Sequence, residues 1–306
     1  MLYDHSPQHP VPEGWFFRLL IALAALMRGF GALLAMITGS ILFAYPFEPL
    51  IRWIPMPRRL GENFLQGIPF LIVSLVVSWV LMRWVHKSNI RELGLELNRK
   101  AAWDFVWAFF WGAIVLTLSV LPLVLMGGGS FVADEVKIRG PYGLFILLGL
   151  LLLASASEEV IMRGYAFQSL IQPLHLLGAL VATSGVFAAI HLNNPNVSEY
   201  AIANTFLAGC VLGMVLVLRS SLWAAIGAHF AWNLATICFG LNVSGLPIPI
   251  TPFSIKWTMD PLWTGGVYGP EGGLACTIVL SLALLVLINL YYRKRVVPLE
   301  PEVESE

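Results

Sequence analysis

Apolar stretches of bilayer-spanning length recur along the chain and limit the folds that it can adopt. A helix needs roughly 20 consecutive apolar residues to cross the hydrocarbon core of a membrane. Such stretches lie near residues 15–45, 64–85, 103–126, 142–171, 176–192, 200–218, 221–240 and 274–292. Hydrophobic residues fill 58% of the 306 positions, against roughly 45 to 50% in soluble domains, and charged residues only 12%. The sequence therefore predicts an all-α polytopic integral membrane protein with about eight transmembrane helices.

The apolar stretches belong to a single membrane domain, residues 15–292, because no internal repeat divides them. A polar segment, 1–14, precedes this domain, and an acidic tail, 293–306, follows it. The Lys and Arg residues near the ends of the predicted spans favour cytoplasmic termini. The net charge is zero, so no overall field attracts nucleic acid, and membrane lipids are the expected surroundings.

Three charged residues, Glu158, Glu159 and Arg163, lie inside the fourth apolar stretch. Each such charge costs about 2.5 to 3.5 kcal/mol at the centre of a membrane helix, which makes the cluster a candidate functional site. Residues four apart share a helix face, whereas adjacent residues diverge by about 100 degrees. The spacing therefore predicts a buried pair of Glu159 with Arg163. It leaves the carboxylate of Glu158 facing a cavity, as the better candidate for a catalytic base.

Two further polar patches lie in the fifth and seventh stretches, and in each of them two residues stand four apart. They are Phe187-x-x-x-His191 and His229-x-x-x-Asn233. A hairpin that turns near Pro173 would bring Glu158 and His191 to a similar depth. A histidine inside a membrane is, taken singly, more often a packed and hydrogen-bonded residue. Together the patches supply a base, a partner that positions water, and donors for an oxyanion.

The three motifs, Glu158-Glu159-x-x-x-Arg163, Phe187-x-x-x-His191 and His229-x-x-x-Asn233, resemble those of the CPBP (Abi) intramembrane protease family. That family includes the type II CAAX prenyl proteases of the Ras-converting-enzyme kind. The resemblance covers about 142–240 and implies a helical membrane fold around a polar cavity, in which activated water hydrolyses a peptide bond. By motif position, Glu158 and His191 would activate the water, and His229 with Asn233 would stabilise the oxyanion. Glu159 would belong to the catalytic set, with Arg163 and Phe187 in support.

The resemblance leaves the cofactor open, because the family has been described both as metalloprotease and as glutamate protease. The chain has no His-Glu-x-x-His motif, and His229 is better employed as a donor beside Asn233. The sequence thus favours metal-free glutamate catalysis. The alternative is a zinc enzyme with Glu158, His191 and His229 as ligands. The expected substrate is a peptide or protein, with or without a lipid anchor, and the likeness to bacterial members predicts a bacterial plasma membrane.

A long segment rich in Pro, Gly and Trp, residues 241–273, follows the stretch that carries His229. Long loops next to catalytic residues often act as lids, so this segment is predicted to be a lid or a substrate rim of the catalytic core, about 142–240. An interfacial re-entrant loop that only packs is the alternative. Two other functions stay open beside proteolysis: a catalytically silent scaffold or immunity protein of the same fold, and an ion-coupled transporter.

Overall fold

The apolar stretches form long helices, and the loop regions add one small sheet. The computed structural model describes residues 15–44, 66–136 and 140–296, with side chains from 19–44, 66–136 and 140–294. The helices are α1 (Trp15–Ala44), α2 (Gly67–Val80), α3 (Arg99–Leu125), α4 (Gly140–Arg163), α5 (Tyr165–Ile190), α6 (Glu199–Arg219), α7 (Leu222–Cys238), α8 (Pro261–Thr264) and α9 (Leu274–Val296). A π-helical turn, Leu81–Val85, extends α2, and the strands are β1 (Gly129–Ala133) and β2 (Phe253–Trp257).

The prediction of an all-α polytopic membrane protein is confirmed. In the described residues, six helical stretches are long and apolar enough to cross a membrane, and one of them, 140–190, contains both α4 and α5. Helix α7 is apolar but has 17 residues, so it falls just short of that length. The polar segment 1–14 and most of the predicted tail, 297–306, lie outside the described residues.

Capping side chains fix where two of the long helices begin. The Asn98 side chain accepts a hydrogen bond from the backbone N–H of Ala101 at 2.8 Å, ahead of α3. Ser198 does the same for Ala201 at 3.1 Å, ahead of α6. Such caps satisfy backbone donors that a helix leaves unpaired in its first turn.

The chain turns back inside α5, close to the turn predicted at Pro173, so residues 140–174 and 176–190 form the two arms of a hairpin. The helical backbone is interrupted at His175, which has φ 58° and ψ 171°. The guanidinium carbon of Arg163 lies 4.4 Å from the centre of the Phe187 ring, and these two residues stand twelve positions before and after His175. The two arms of the hairpin therefore run back along each other and bring the α4 motif level with the α5 motif.

Helices α3 and α7 pack closely through a reciprocal pair of glycines. A Cβ atom on Gly112 would lie 2.4 Å from the carbonyl oxygen of Ala228, and one on Gly227 would lie 2.5 Å from that of Phe105. Small residues of this kind let helix backbones approach each other in membranes. Since Gly227 and Ala228 directly precede His229, this contact sets the position of the third motif.

An ionic contact joins the ends of α3 and α6. The buried Asp104 carboxylate accepts hydrogen bonds from Arg219 Nε at 2.9 Å and from Lys100 Nζ at 2.7 Å. Lys100 also donates to the main-chain oxygen of Arg219 at 2.9 Å. A buried carboxylate is tolerated when it is paired in this way.

Strands β1 and β2 pair antiparallel, with Gly129 opposite Trp257 and Ala133 opposite Phe253. This sheet links the residues after α3 to the segment predicted as a lid. The pairing is absent from the sequence prediction.

The glycine contact between α3 and α7 predicts that Gly112→Ala destabilises the protein. The added methyl group meets the α7 backbone, and overpacking of this kind costs about 1 to 3 kcal/mol. Gly149→Ala in α4 is the matched control, because a Cβ atom there meets nothing within 4 Å. Thermal unfolding in detergent gives the unfolding temperature of both variants. Equal unfolding temperatures for the two variants would contradict the proposed role of the contact.

Candidate active site

The buried carboxylate of Glu159 joins the motifs of α4 and α7. Its side chain is 0% exposed, and Oε1 accepts hydrogen bonds from Arg163 Nη1 at 3.1 Å and from His229 Nδ1 at 2.8 Å. The predicted pair of Glu159 with Arg163 is confirmed. The bond to His229 is absent from the sequence prediction, because it depends on how closely α7 approaches α4.

Glu158 differs from its neighbour in both exposure and partners. Its side chain is 34% exposed, and Oε2 lies 3.7 Å from Nε2 of His229. That distance is too long for a hydrogen bond but allows a strong electrostatic attraction when the ring is protonated. The imidazole of His229 thus lies between two carboxylates, one buried and one partly open.

The hydrogen bonds of the two histidines define their tautomers. His191 Nδ1 lies 2.7 Å from the main-chain oxygen of Phe187, and His229 Nδ1 contacts the carboxylate of Glu159. Both oxygens only accept hydrogen bonds, so each Nδ1 carries a proton and donates it. In a neutral ring the other nitrogen, Nε2, is then an acceptor.

Asn233 and His229 lie on the face of α7 that packs against α4. Asn233 Nδ2 donates to Ser155 Oγ at 3.4 Å, and Ser155 stands four residues before Glu159 on α4. The contacts of Asn233 and His229 with α4 are therefore one helical turn apart on both helices. Ser155 could not be recognised from the sequence, since a single serine in an apolar helix is common.

The Phe187 ring lies at the centre of the polar cluster. The Arg163 guanidinium covers its face at 4.4 Å, and the rings of His191 and His229 meet it edge-on at 4.6 and 6.2 Å between centroids. Cation–π and edge-to-face contacts of this kind are favourable in a water-poor site. The aromatic ring connects the α5 motif to the other two.

The predicted zinc alternative has Glu158, His191 and His229 as its ligands. Within the described part of the chain, no three His, Cys, Asp or Glu side chains come together as a group able to hold a metal ion. His191 and His229 each have Nδ1 hydrogen-bonded to a protein oxygen, as zinc-ligating histidines commonly do, and their Nε2 nitrogens remain available. The metal-free mechanism and the zinc alternative therefore both stay predictions.

A cavity of about 620 Å³, including its open mouth, extends from the two histidines into the helix bundle. Its wall includes His191 and His229 at the motifs and, beyond the predicted residues, Asn204, Trp232, Ser244 and Glu271. Of these additions, Glu271 has the clearest signal in the sequence. It is an acidic residue next to two glycines, just before an apolar helix.

The segment 241–273 packs beside the cavity. The Asn194 amide donates to the Tyr268 hydroxyl at 3.4 Å, and the backbone N–H of Gly245 donates to the Tyr268 carbonyl at 2.8 Å. Burial, and then the nearby Glu271 carboxylate, raise the pKa of Tyr268 to about 12, so this phenol stays neutral.

Residues 140–235 match a protein-family model described as type II CAAX prenyl endopeptidase, Rce1-like. The matched range extends from the start of α4 into α7 and includes the three motifs. Among curated proteins, no sequence matches the chain significantly. The family suspected from the three motifs is confirmed over residues 140–235, where the chain matches the Rce1-like type II CAAX prenyl endopeptidases.

Proposed function

We propose that the protein is an intramembrane endopeptidase in which Glu158 and His191 activate a water molecule that hydrolyses a peptide bond. The observation that carries the proposal is the chain of contacts from Arg163 through Glu159 to His229, with Glu158 beside it. This arrangement leaves one carboxylate partly exposed and holds a second in support. The match to an endopeptidase family supports the same reaction class.

Glu158 is the base in this proposal because Glu159 has no freedom to act as one. Glu159 is fully buried and bound to two donors, whereas a third of the Glu158 side chain is exposed. A general base must reach the proton that it removes. His191 assists, because with Nδ1 bound to the Phe187 carbonyl its Nε2 accepts a hydrogen bond from the water.

The reaction then proceeds in two steps, in which Glu158 first takes up a proton and then gives it away. One water proton moves to the Glu158 carboxylate while the water oxygen attacks the carbonyl carbon, and the carbonyl oxygen becomes an oxyanion. Glu158 next gives its proton to the amide nitrogen, and the C–N bond breaks to release the amine. The second product leaves as a carboxylic acid, which ionises in water.

His229 and Asn233 stabilise the oxyanion in this mechanism. Glu159 fixes the ring orientation of His229, and Glu158 and Glu159 together offset the positive charge of the protonated ring. The Nε2–H of that ring then donates a hydrogen bond to the oxyanion. Asn233, one turn away on the same face, adds an amide donor. We include no metal in this mechanism, because the described residues contain no group of three His, Cys, Asp or Glu side chains placed to hold one.

The substrate in the proposal is a peptide segment that reaches the site from the lipid phase, either with or without a lipid anchor. The mainly apolar lining of the cavity suits such a segment. We further propose a bacterial plasma membrane, as the likeness to bacterial members implies, and cytoplasmic termini, which the basic residues of the sequence favour.

Glu158→Gln tests the proposed base. Because a general base contributes about 10² to 10⁴ in rate, kcat should fall by that factor, while Glu199→Gln at the exposed start of α6 should leave kcat unchanged. The assay follows cleavage by mass spectrometry with purified protein in lipid. Its substrates are a membrane-peptide library and one CAAX peptide made with and without a prenyl group.

A zinc chelator in a parallel assay tests the metal-free mechanism, which predicts unchanged cleavage. Loss of cleavage with the chelator would overturn the metal-free mechanism, and full activity of Glu158→Gln would exclude Glu158 as the base. No cleavage of any substrate by the wild type would favour the silent-scaffold or transporter function instead.

The different surroundings of the two glutamates predict different stabilities for their amide variants. Glu159→Gln leaves the buried Arg163 without its counter-charge, and breaking a buried pair costs about 3 to 5 kcal/mol. Glu158→Gln removes a partly exposed charge and should change stability by less than about 1 kcal/mol. Thermal unfolding in detergent compares the two. Equal losses of stability in the two variants would show that Glu159 is not the more strongly paired of the two carboxylates.

A further inference from the structure

The Glu271 carboxylate joins the segment 241–273 to the helix that carries His229. Oε1 accepts the indole N–H of Trp232 at 2.9 Å. Oε2 accepts both the backbone N–H of Ser244 at 2.9 Å and its hydroxyl at 2.7 Å. Trp232 lies three residues after His229, so the two side chains occupy neighbouring positions on α7.

The backbone around Glu271 is fixed independently to α6. Asn204 Nδ2 donates to the carbonyl oxygens of Glu271 at 2.8 Å and of Gly273 at 3.0 Å. The Thr277 hydroxyl donates to Asn204 Oδ1 at 2.8 Å, which orients the amide. Glu271 is thus held at a set position before its side chain makes any contact.

Three donors meet the two oxygens of Glu271, and this matches a carboxylate better than an amide. A glutamine offers one accepting oxygen and an NH₂ group that only donates. With Gln at this position, either the Trp232 N–H or the Ser244 N–H would face another donor. Leaving a buried donor unpaired costs more than a neutral hydrogen bond contributes.

We propose that Glu271 is a positioning residue, which fastens the segment 241–273 to α7 and so keeps the cavity wall beside His229 in place. The inference rests on the proposed endopeptidase function, for which the cavity holds the substrate. Ser244, Trp232 and Glu271 all line that cavity together with His229. Loosening the segment would therefore remove part of the cavity wall that contacts the substrate. The hydrogen bonds of Glu159 to Arg163 and His229 would remain.

Cys276 provides a test of this fastening that does not depend on activity. It lines the same cavity and is 1% exposed, whereas Cys210 is 6% exposed and lies outside the cavity wall. Two single-cysteine proteins are prepared, each with Cys238 and one of these cysteines changed to Ser. Modification by N-ethylmaleimide in lipid is then followed by mass spectrometry, with and without Glu271→Gln.

We expect Glu271→Gln to raise the modification rate of Cys276 by at least about tenfold, because the segment opens locally, while Cys210 stays protected. Ser244→Ala, which removes one of the three donors, should give a smaller increase. Asp260→Asn is the matched control within the segment. The Asp260 side chain accepts a hydrogen bond from the backbone N–H of Leu262, and Asn accepts it equally well, so the protection of Cys276 should not change.

Kinetics then separate positioning from a general structural role. Loosening the cavity wall should raise KM by about tenfold, whereas partial unfolding lowers the amount of active enzyme and leaves KM unchanged. Unchanged protection of Cys276 in both variants, or equal exposure of Cys210 and Cys276, would overturn the proposal. So would an exposed Cys276 with an unchanged KM. Cysteine labelling does not require cleavage, so it tests the role of Glu271 even if the protein cleaves no peptide. Absence of cleavage would count against the endopeptidase function alone.

Discussion

The buried contact of Glu159 with Arg163 and His229 is the interaction on which the rest of the site depends. A carboxylate with no exposed surface is unfavourable in a membrane unless it is paired and hydrogen-bonded. Arg163 supplies the charge and His229 a second donor, so one carboxylate connects α4 to α7. Because Arg163 also covers Phe187, the same contact extends to α5. The site is therefore assembled by the pairing that makes its charges tolerable inside the bundle.

The helical period explains why two adjacent glutamates have different surroundings. Successive residues diverge by about 100 degrees, so Glu159 faces the interior while Glu158 is partly exposed beside His229, outside the wall of the described cavity. In the proposed mechanism one carboxylate is then available as the base, and the other orients the neighbouring histidine. A single charged residue would have to combine both tasks, and the pairing that holds it in place would compete with proton transfer.

Local periodicity was enough to predict several features of the structure and of the site. The apolar stretches predicted the helices, the spacing of Glu159 and Arg163 predicted their pair, and Pro173 lies within two residues of the interruption at His175. Contacts between distant segments were not predictable in this way. The Glu159 bond to His229 depends on helix packing, and the Glu271 contacts and the pairing of β1 with β2 arise where no helical period exists.

The hairpin that turns at His175 makes the number of residues between the α4 motif and the α5 motif a constraint on the site. Arg163 and Phe187 lie at equal distances on either side of His175 and contact each other across the hairpin. Inserting one residue into either arm would shift everything beyond it by about 1.5 Å and rotate it by about 100 degrees. The interval from Glu158 to His191 therefore tolerates substitutions of its lipid-facing residues far better than insertions or deletions.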